Sequence, residues 1–234
     1  MYEVKIFTLY PEIFPGPLAG GIYGKAMSKG LWNLKTVNIR DYADDKHKTV
    51  DDTVFGGGSG MLMKPDIVAN SLDKNISKGE KIFYLSPKGK KFNQSFANSL
   101  SKQNGINLIC GHFEGVDDRL LSTRNIEEIS IGDYVLSGGE TAAFVILDAV
   151  LRLIPGVLGN KDSIKDETFE NSLLEYPQFT KPKIWEGKSV PDVLFSGDHA
   201  KIKSWRLSQS EDITRRQRPD LWEKYLNKKK NEKY

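Results

Sequence analysis

Residues 81–110 read KIFYLSPKGKKFNQSFANSLSKQNGINLIC. KIFYL is a short apolar run rich in β-branched and aromatic residues, which predicts a buried strand at 81–85. SPKG is a polar turn. Phe92, Phe96 and Leu100 then fall four residues apart, the stripe of a helix over 92–102. INLIC predicts a second buried strand at 106–110. Strand, helix, strand in so short a span points to an α/β layer with a largely parallel sheet.

The same order extends outward. Strands are expected at 4–9 (VKIFTL), 34–39 and 126–131, with helices at 18–29, 65–72, 117–121 and 140–154. Gly30 and Pro65 punctuate two of the helices as an end and a start. Residues 41–61 form a long polar, glycine-rich stretch, a length that in a folded domain marks a functional or disordered loop. Residues 155–185 lack regular periodicity and read as a long linker, and helices are expected at 198–217 and 219–227. The domain boundary therefore falls in the irregular stretch, and the last part is helical.

The chain has 234 residues, 38% hydrophobic and 28% charged, enough for a full core and too apolar for general disorder. The single cysteine, Cys110, excludes a disulfide scaffold and points to a reducing compartment. No apolar run approaches the roughly 18 residues of a membrane span. The first ten residues lack the basic and apolar regions of a secretory leader, so the expected address is the cytoplasm and no membrane partner is expected. Net charge is +3, distributed unevenly: residues 201–234 carry eleven Lys/Arg against five Asp/Glu, and the first 200 carry a net of −3. A basic end on a mildly acidic body suits a polyanionic partner, although a charge run is more often a solvated helix face.

Common chemical motifs are absent. The P-loop fails around Gly24–Lys25, where Ala26 stands in place of the hydroxyl, and Gly58-Ser59-Gly60 is no dinucleotide fingerprint. His47, His112 and His199 are too scattered for a metal site, so none is expected. There is no GxSxG elbow. Instead, three glycine-bearing turns follow three apolar strands: Ser86–Gly89, Gly111–Gly115 and Ile131–Gly139. Ligands of parallel sheets bind beyond the carboxyl ends of strands, where glycine lets backbone come close. Alone each turn is ordinary; together they predict one small-molecule pocket. FGGGSGM at 55–61 suits a lid or contact loop.

Long stretches carry a resemblance: YPEIF (10–14), TVDDTVFGGGSGMLM (49–63), YLSPKGKKF (84–92), LICGHFEGVDDR (108–119), EISIGDYVLSGGE (128–140), RLIPGVLGN (152–160), LLEYPQFTKP (173–182), VPDVLFSGDHAKIKSWR (190–206) and QRPDLW (217–222). Over almost its whole length the chain resembles the bacterial tRNA (guanine-N1)-methyltransferase family, TrmD, of the SPOUT superfamily. The resemblance implies an α/β domain with a deep trefoil knot over 1–157, a flexible linker over 158–185, a helical tRNA-binding domain over 186–234, and an obligate homodimer. It implies methyl transfer from S-adenosyl-L-methionine to N1 of the guanosine 3′ of the anticodon. An RNA-binding protein of this fold without catalysis, or an enzyme acting on another RNA, are the alternatives.

Carried over residue by residue, the donor pocket consists of Tyr84, Leu85, Ser86, Pro87, Gly89, Gly111, Glu114, Ile131, Gly132, Asp133, Tyr134, Val135, Leu136, Ser137 and Gly138. The tRNA-contacting parts are Asp51, Gly56, Gly57, Gly58, Ser59 and Gly60 in the loop, with Arg206, Arg215 and Arg216 near the end. The family places an Asp-Ser-Phe base in its linker, whereas this chain reads Lys165-Asp166-Glu167-Thr168-Phe169. Anchoring on Phe169 makes Glu167 the base, and a one-residue shift makes it Asp166. Arg152 maps onto the arginine that holds O6 of guanine, and it also suits the end of a helix dipole. Lys88, His112 and Ser59 stand where other members carry Gln, Arg and Pro.

Overall fold

The computed structural model describes residues 1–159 and 172–231. The chain divides into two compact units, Met1–Gly159 and Asn160–Tyr234. The first is an α/β unit. Its elements are β1 (Tyr2–Thr8), α1 (Gly21–Ser28), β2 (Trp32–Asn38), β3 (Asp51–Thr53), β4 (Met61–Met63), α2 (Pro65–Asp73), β5 (Ile82–Lys91), α3 (Gln94–Ser101), β6 (Gly105–Ile109), α4 (Asp118–Thr123), β7 (Glu127–Ser130) and α5 (Glu140–Leu151).

Five strands make one sheet in the order β2-β1-β6-β5-β7, and every pairing in it is parallel. The predicted strand–helix–strand unit is thus β5-α3-β6, with its two strands adjacent. Alternate residues of each central strand feed two cores, one on each face. Val4, Ile6, Phe83, Leu85, Ile106 and Leu108 enter one, with Ile146, Leu147 and Val150 of α5. Phe7, Ile82, Tyr84 and Ile109 enter the other, with Ile67, Val68 and Leu72 of α2. The continuous apolar runs of KIFYL and INLIC follow from burial on both faces. Asn93 caps α3, its side chain accepting from the Phe96 N–H at 2.9 Å, which starts the helix two residues later than the apolar stripe suggests.

Three elements differ from expectation. Strand β5 does not stop at residue 85. It pairs with β7 from Phe83 to Leu85 and again at Lys90 and Lys91, and the pairing is interrupted at the polar turn. Residues 41–61 are not one loop, because β3 and β4 form an antiparallel ribbon. The segment before α1 is a short 3-10 turn, Gly16–Ala19, and the α-helix begins only at Gly21.

The second unit contains a small hairpin, β8 (Ile184–Trp185) with β9 (Lys188–Ser189), inside the stretch expected to be irregular. Two helices follow, α6 (His199–Gln217) and α7 (Pro219–Asn231). Asp198 caps α6 by accepting from the N–H groups of Ala200 and Lys201, both at 3.1 Å. Fully buried Thr214 ties α6 to residue 174, accepting from the Leu174 N–H at 2.8 Å.

Ile146 is fully buried on α5 between the sheet and its neighbours. Ile146→Ala is expected to destabilise the α/β unit by about 2–5 kcal/mol. Urea unfolding monitored on that unit should show a lower midpoint with an unchanged slope. An unaltered midpoint would mean that α5 is not part of this core.

Candidate functional site

At the carboxyl ends of β5, β6 and β7 three chain segments enclose one cavity of about 210 Å³. The walls are Tyr84–Pro87, Gly111–Gly115 and Ile129–Gly139, apart from Asp133, with Ala142 of α5 behind them. The first wall includes the interruption in β5, where pairing with β7 lapses after Leu85, and Ser86 and Pro87 line the cavity. All three glycine turns singled out in the sequence are therefore brought together. Two of the expected contact residues lie outside the lining, Gly89 and Asp133. Gly89 answers a different need, since a Cβ there would strike the Glu128–Ile129 backbone.

The turns are held by a buried polar cluster. Glu140, the first residue of α5, is 6% exposed. Its Oε1 accepts from Thr8 Oγ1 at 2.6 Å, and His112 Nε2 lies 2.9 and 2.8 Å from the two carboxylate oxygens. A proton on Nε2 would let the imidazole donate to both carboxylate oxygens. Thr8 Oγ1 in turn accepts from the Tyr10 N–H at 3.0 Å, and the Tyr10 ring packs edge-on to His112 at 4.9 Å. One side-chain cluster thus joins the end of β1, the turn after β6 and the start of α5. Backbone closes the same junction. A Cβ on Gly139 would lie 2.6 Å from Cys110 Cα, and its N–H donates to the Gly111 carbonyl at 3.0 Å. Burial, with Glu140 nearby, pushes the Cys110 thiol well above its ordinary pKa.

The glycine loop is attached to this site. The Glu114 N–H donates to the Met61 carbonyl and the Met63 N–H to the Gly115 carbonyl, both at 2.9 Å. Strand β4 is thereby tied to the second wall. Gly60, at φ +110°, packs so closely that a Cβ would lie 2.6 Å from Glu114 Cγ. Asp51 sits in β3, and Gly56, Gly57, Gly58 and Ser59 are exposed at the ribbon tip. No spacing in the sequence linked this loop to the turn at 111–115, because the link runs through backbone hydrogen bonds.

Arg152 does not join the cavity. It caps the far end of α5, beside Tyr23 and Asp148, and twelve helical residues from Glu140 correspond to about 18 Å. Desolvation, then the Asp148 carboxylate, pushes the Tyr23 hydroxyl up, while Arg152 opposes that rise. Asp166 and Glu167 lie outside the described residues. Arg215 is paired with Asp212 at 2.9 Å on the surface of α6, and Arg216 donates to the Asp212 carbonyl at 3.3 Å. The Arg206 guanidinium stacks over the Tyr176 ring at 4.8 Å. Among the described residues no group of three or more His, Cys, Asp and Glu could hold a metal ion.

A family model described as tRNA (Guanine-1)-methyltransferase TrmD matches residues 2–224. The chain is 72% identical over 225 residues to a tRNA (guanine-N(1)-)-methyltransferase of Pelagibacter ubique (strain HTCC1062), covering 96% of this chain and 99% of that protein. It is 52% identical over 229 residues to the proteins of that name from Brucella canis (strain ATCC 23365 / NCTC 10854 / RM-666) and Brucella ovis (strain ATCC 25840 / 63/290 / NCTC 10512). In these two cases 98% of this chain is covered, with 93% and 95% of the relatives.

A thiol that is buried and kept protonated is a poor nucleophile. Alkylation of Cys110 by iodoacetamide at pH 8 is expected to be at least about tenfold slower in the native chain than in urea. Equal rates would show that the junction of Gly111, Gly139 and Glu140 opens readily.

Proposed function

The chain belongs to the tRNA (guanine-N1)-methyltransferase family, and from that premise we propose that it methylates N1 of the guanosine immediately 3′ of the anticodon, with S-adenosyl-L-methionine as donor. The observation that carries this reading is the convergence of three strand-end turns on one cavity, in a chain that matches the family from residue 2 to residue 224. The reading as an RNA-binding protein without catalysis is not favoured, since relatives at 72% and 52% identity are named as methyltransferases.

The lining suits the donor. Backbone amides and carbonyls can read an adenine edge, apolar side chains such as Leu85, Ile131 and Leu136 can cover its faces, and the Glu114 carboxylate can face a cationic sulfonium. At about 210 Å³ the cavity is smaller than the roughly 300 Å³ at which ligand pockets usually begin. Tyr134 and Val135 on the third wall are 64% and 98% exposed, so little packing would oppose an outward shift of that wall around a donor.

The sulfonium already activates the methyl group, so the protein supplies position and proton removal. N1 of guanine is protonated at neutral pH, and its lone pair becomes available as that proton leaves to a general base. The new N–C bond forms as the C–S bond breaks, with its electron pair going to sulfur. Negative charge developing on O6 suits the fork of an Arg guanidinium. We assign the base to Glu167, with Asp166 as the one-residue alternative, and the guanidinium to Arg152. The distance of about 18 Å along α5 supports a homodimer in which Arg152 reaches the cavity of a second copy. Exposed apolar Val145 on α5 and Ile22 on α1 support the same assembly. No helix among the described residues is long and apolar enough to cross a membrane.

Two measurements test the reading. Mass-spectrometric mapping of anticodon stem–loop transcripts should find one methyl on guanine next to the anticodon and none when adenine replaces it. In single-turnover assays Glu167→Gln should lose roughly 10²–10⁴-fold in rate while donor binding is retained. The wild-type rate should rise with pH as the base deprotonates, and the variant should lose that rise. A severe loss in Asp166→Asn instead would move the base by one residue.

Gly132 has φ +140°, and a Cβ there would lie 2.7 Å from the Tyr134 ring. Gly132→Val should therefore distort the third wall and weaken donor binding by at least about tenfold in a folded protein. Unchanged affinity in calorimetric titration would remove this wall from the donor site.

A further inference from the structure

The second unit contains a groove that the reactions above do not use. It has a volume of about 920 Å³ and lies between residues 176–183 and α6. Four aromatic rings line it, those of Tyr176, Phe179, Phe195 and Trp205. The three charged side chains in its lining, Lys181, Lys183 and Arg206, are all cations. Ile202, Trp205 and Arg206 share one face of α6 at i, i+3 and i+4, so the helix presents a ring and a guanidinium together.

Two of the cations are held in place by rings. The Arg206 guanidinium lies 4.8 Å from the Tyr176 centroid, and Lys183 Nζ lies 4.6 Å from that of Phe195. Lys183 also has the exposed Asp192 carboxylate at 3.8 Å, outside the lining. Arg206 Nε is buried and has no hydrogen-bond partner. Such a donor is uncommon in a native structure and asks for an acceptor from elsewhere. Phe179 and Trp205 form a tilted pair, 6.3 Å apart at 50°, and both rings line the groove.

An occupant must bring an acceptor for Arg206, negative charge for a lining that holds cations only, and a flat face for the rings. An apolar peptide segment supplies neither the charge nor the acceptor. A nucleotide supplies all three. We propose that this groove binds one unpaired nucleotide of the RNA substrate, its base stacked at Trp205 and Phe179 and its phosphate on Arg206 and Lys181. The proposal rests on the RNA-modifying reading. It adds to that reading a site for an unpaired base, where the basic end alone implies contact with phosphates.

The test uses the full chain and two RNAs: an anticodon stem–loop, and the same stem closed by a flexible ethylene glycol linker with no loop nucleotides. Stacking on an aromatic ring should make Arg206→Gln and Phe179→Leu each weaken stem–loop binding by about tenfold and linker-closed binding by roughly twofold or less. The stem–loop should quench Trp205 emission, and the quenching should disappear in Trp205→Phe. Equal loss on both RNAs would reduce the groove to a phosphate-binding surface and overturn the proposal. Wild-type binding by both variants, or a change in oligomeric state in place of RNA affinity, would overturn it as well. If the variants match a wild-type protein that binds and methylates the stem–loop, the groove proposal alone fails. If the wild-type protein does neither, the RNA-modifying reading fails with it.

Discussion

A carboxylate almost withdrawn from water sits where the ends of β1 and β6 meet the start of α5, and side chains from both strand ends satisfy it. Glu140 starts α5, where the helix dipole favours negative charge, and it takes hydrogen bonds from Thr8 and His112. Leaving a buried charge without those donors costs more than an ordinary lost hydrogen bond. The cluster therefore fixes which turns lie side by side. Tyr10, Gly111 and Gly139 follow from it, because each belongs to a segment that one of the three side chains holds in register. The cavity walls inherit their spacing from this junction, and so does the approach of the glycine loop, which is bonded to the turn carrying His112.

The α/β layer was legible because its signals are local. IFYL is apolar throughout and INLIC apart from Asn107, as strands buried on both faces tend to be, and the three glycine turns announced themselves by following such strands. The irregularity inside β5 was not legible. SPKG is turn chemistry, and only pairing with β7 on both sides of it makes one strand of two halves. The ribbon β3–β4 was missed for the same reason: DDT and MLM are too short to stand out, and backbone bonds to Glu114 and Gly115 hold them. Glu140 read as the first polar residue of a helix, and Thr8 as the end of a strand. Their partnership spans 132 residues and leaves no trace in periodicity.

Residue roles were legible only through resemblance. Gly89 was carried over with the donor pocket, yet its lack of a side chain is required by the adjacent strand. Arg152 illustrates the converse. At the end of α5 its charge suits the helix dipole, and the length of the same helix separates it from the cavity.

The basic helices of the second unit carry ion pairs that look, at first, like competition for an RNA phosphate. Arg215 pairs with Asp212, Arg218 with Asp220 and Lys201 with Asp198, each partner near in sequence and the pairs mostly exposed. Exposed pairs of this kind contribute little to stability, since water screens them and the long side chains lose freedom in making them. A phosphate offers a denser charge and releases counterions when it is neutralised, a gain that an internal carboxylate does not provide. The existing pairs thus do not hold these side chains tightly. Arg206 differs from them: its head is stacked on a ring and its Nε is already desolvated, so part of the cost of a dry contact is met by folding before any ligand arrives.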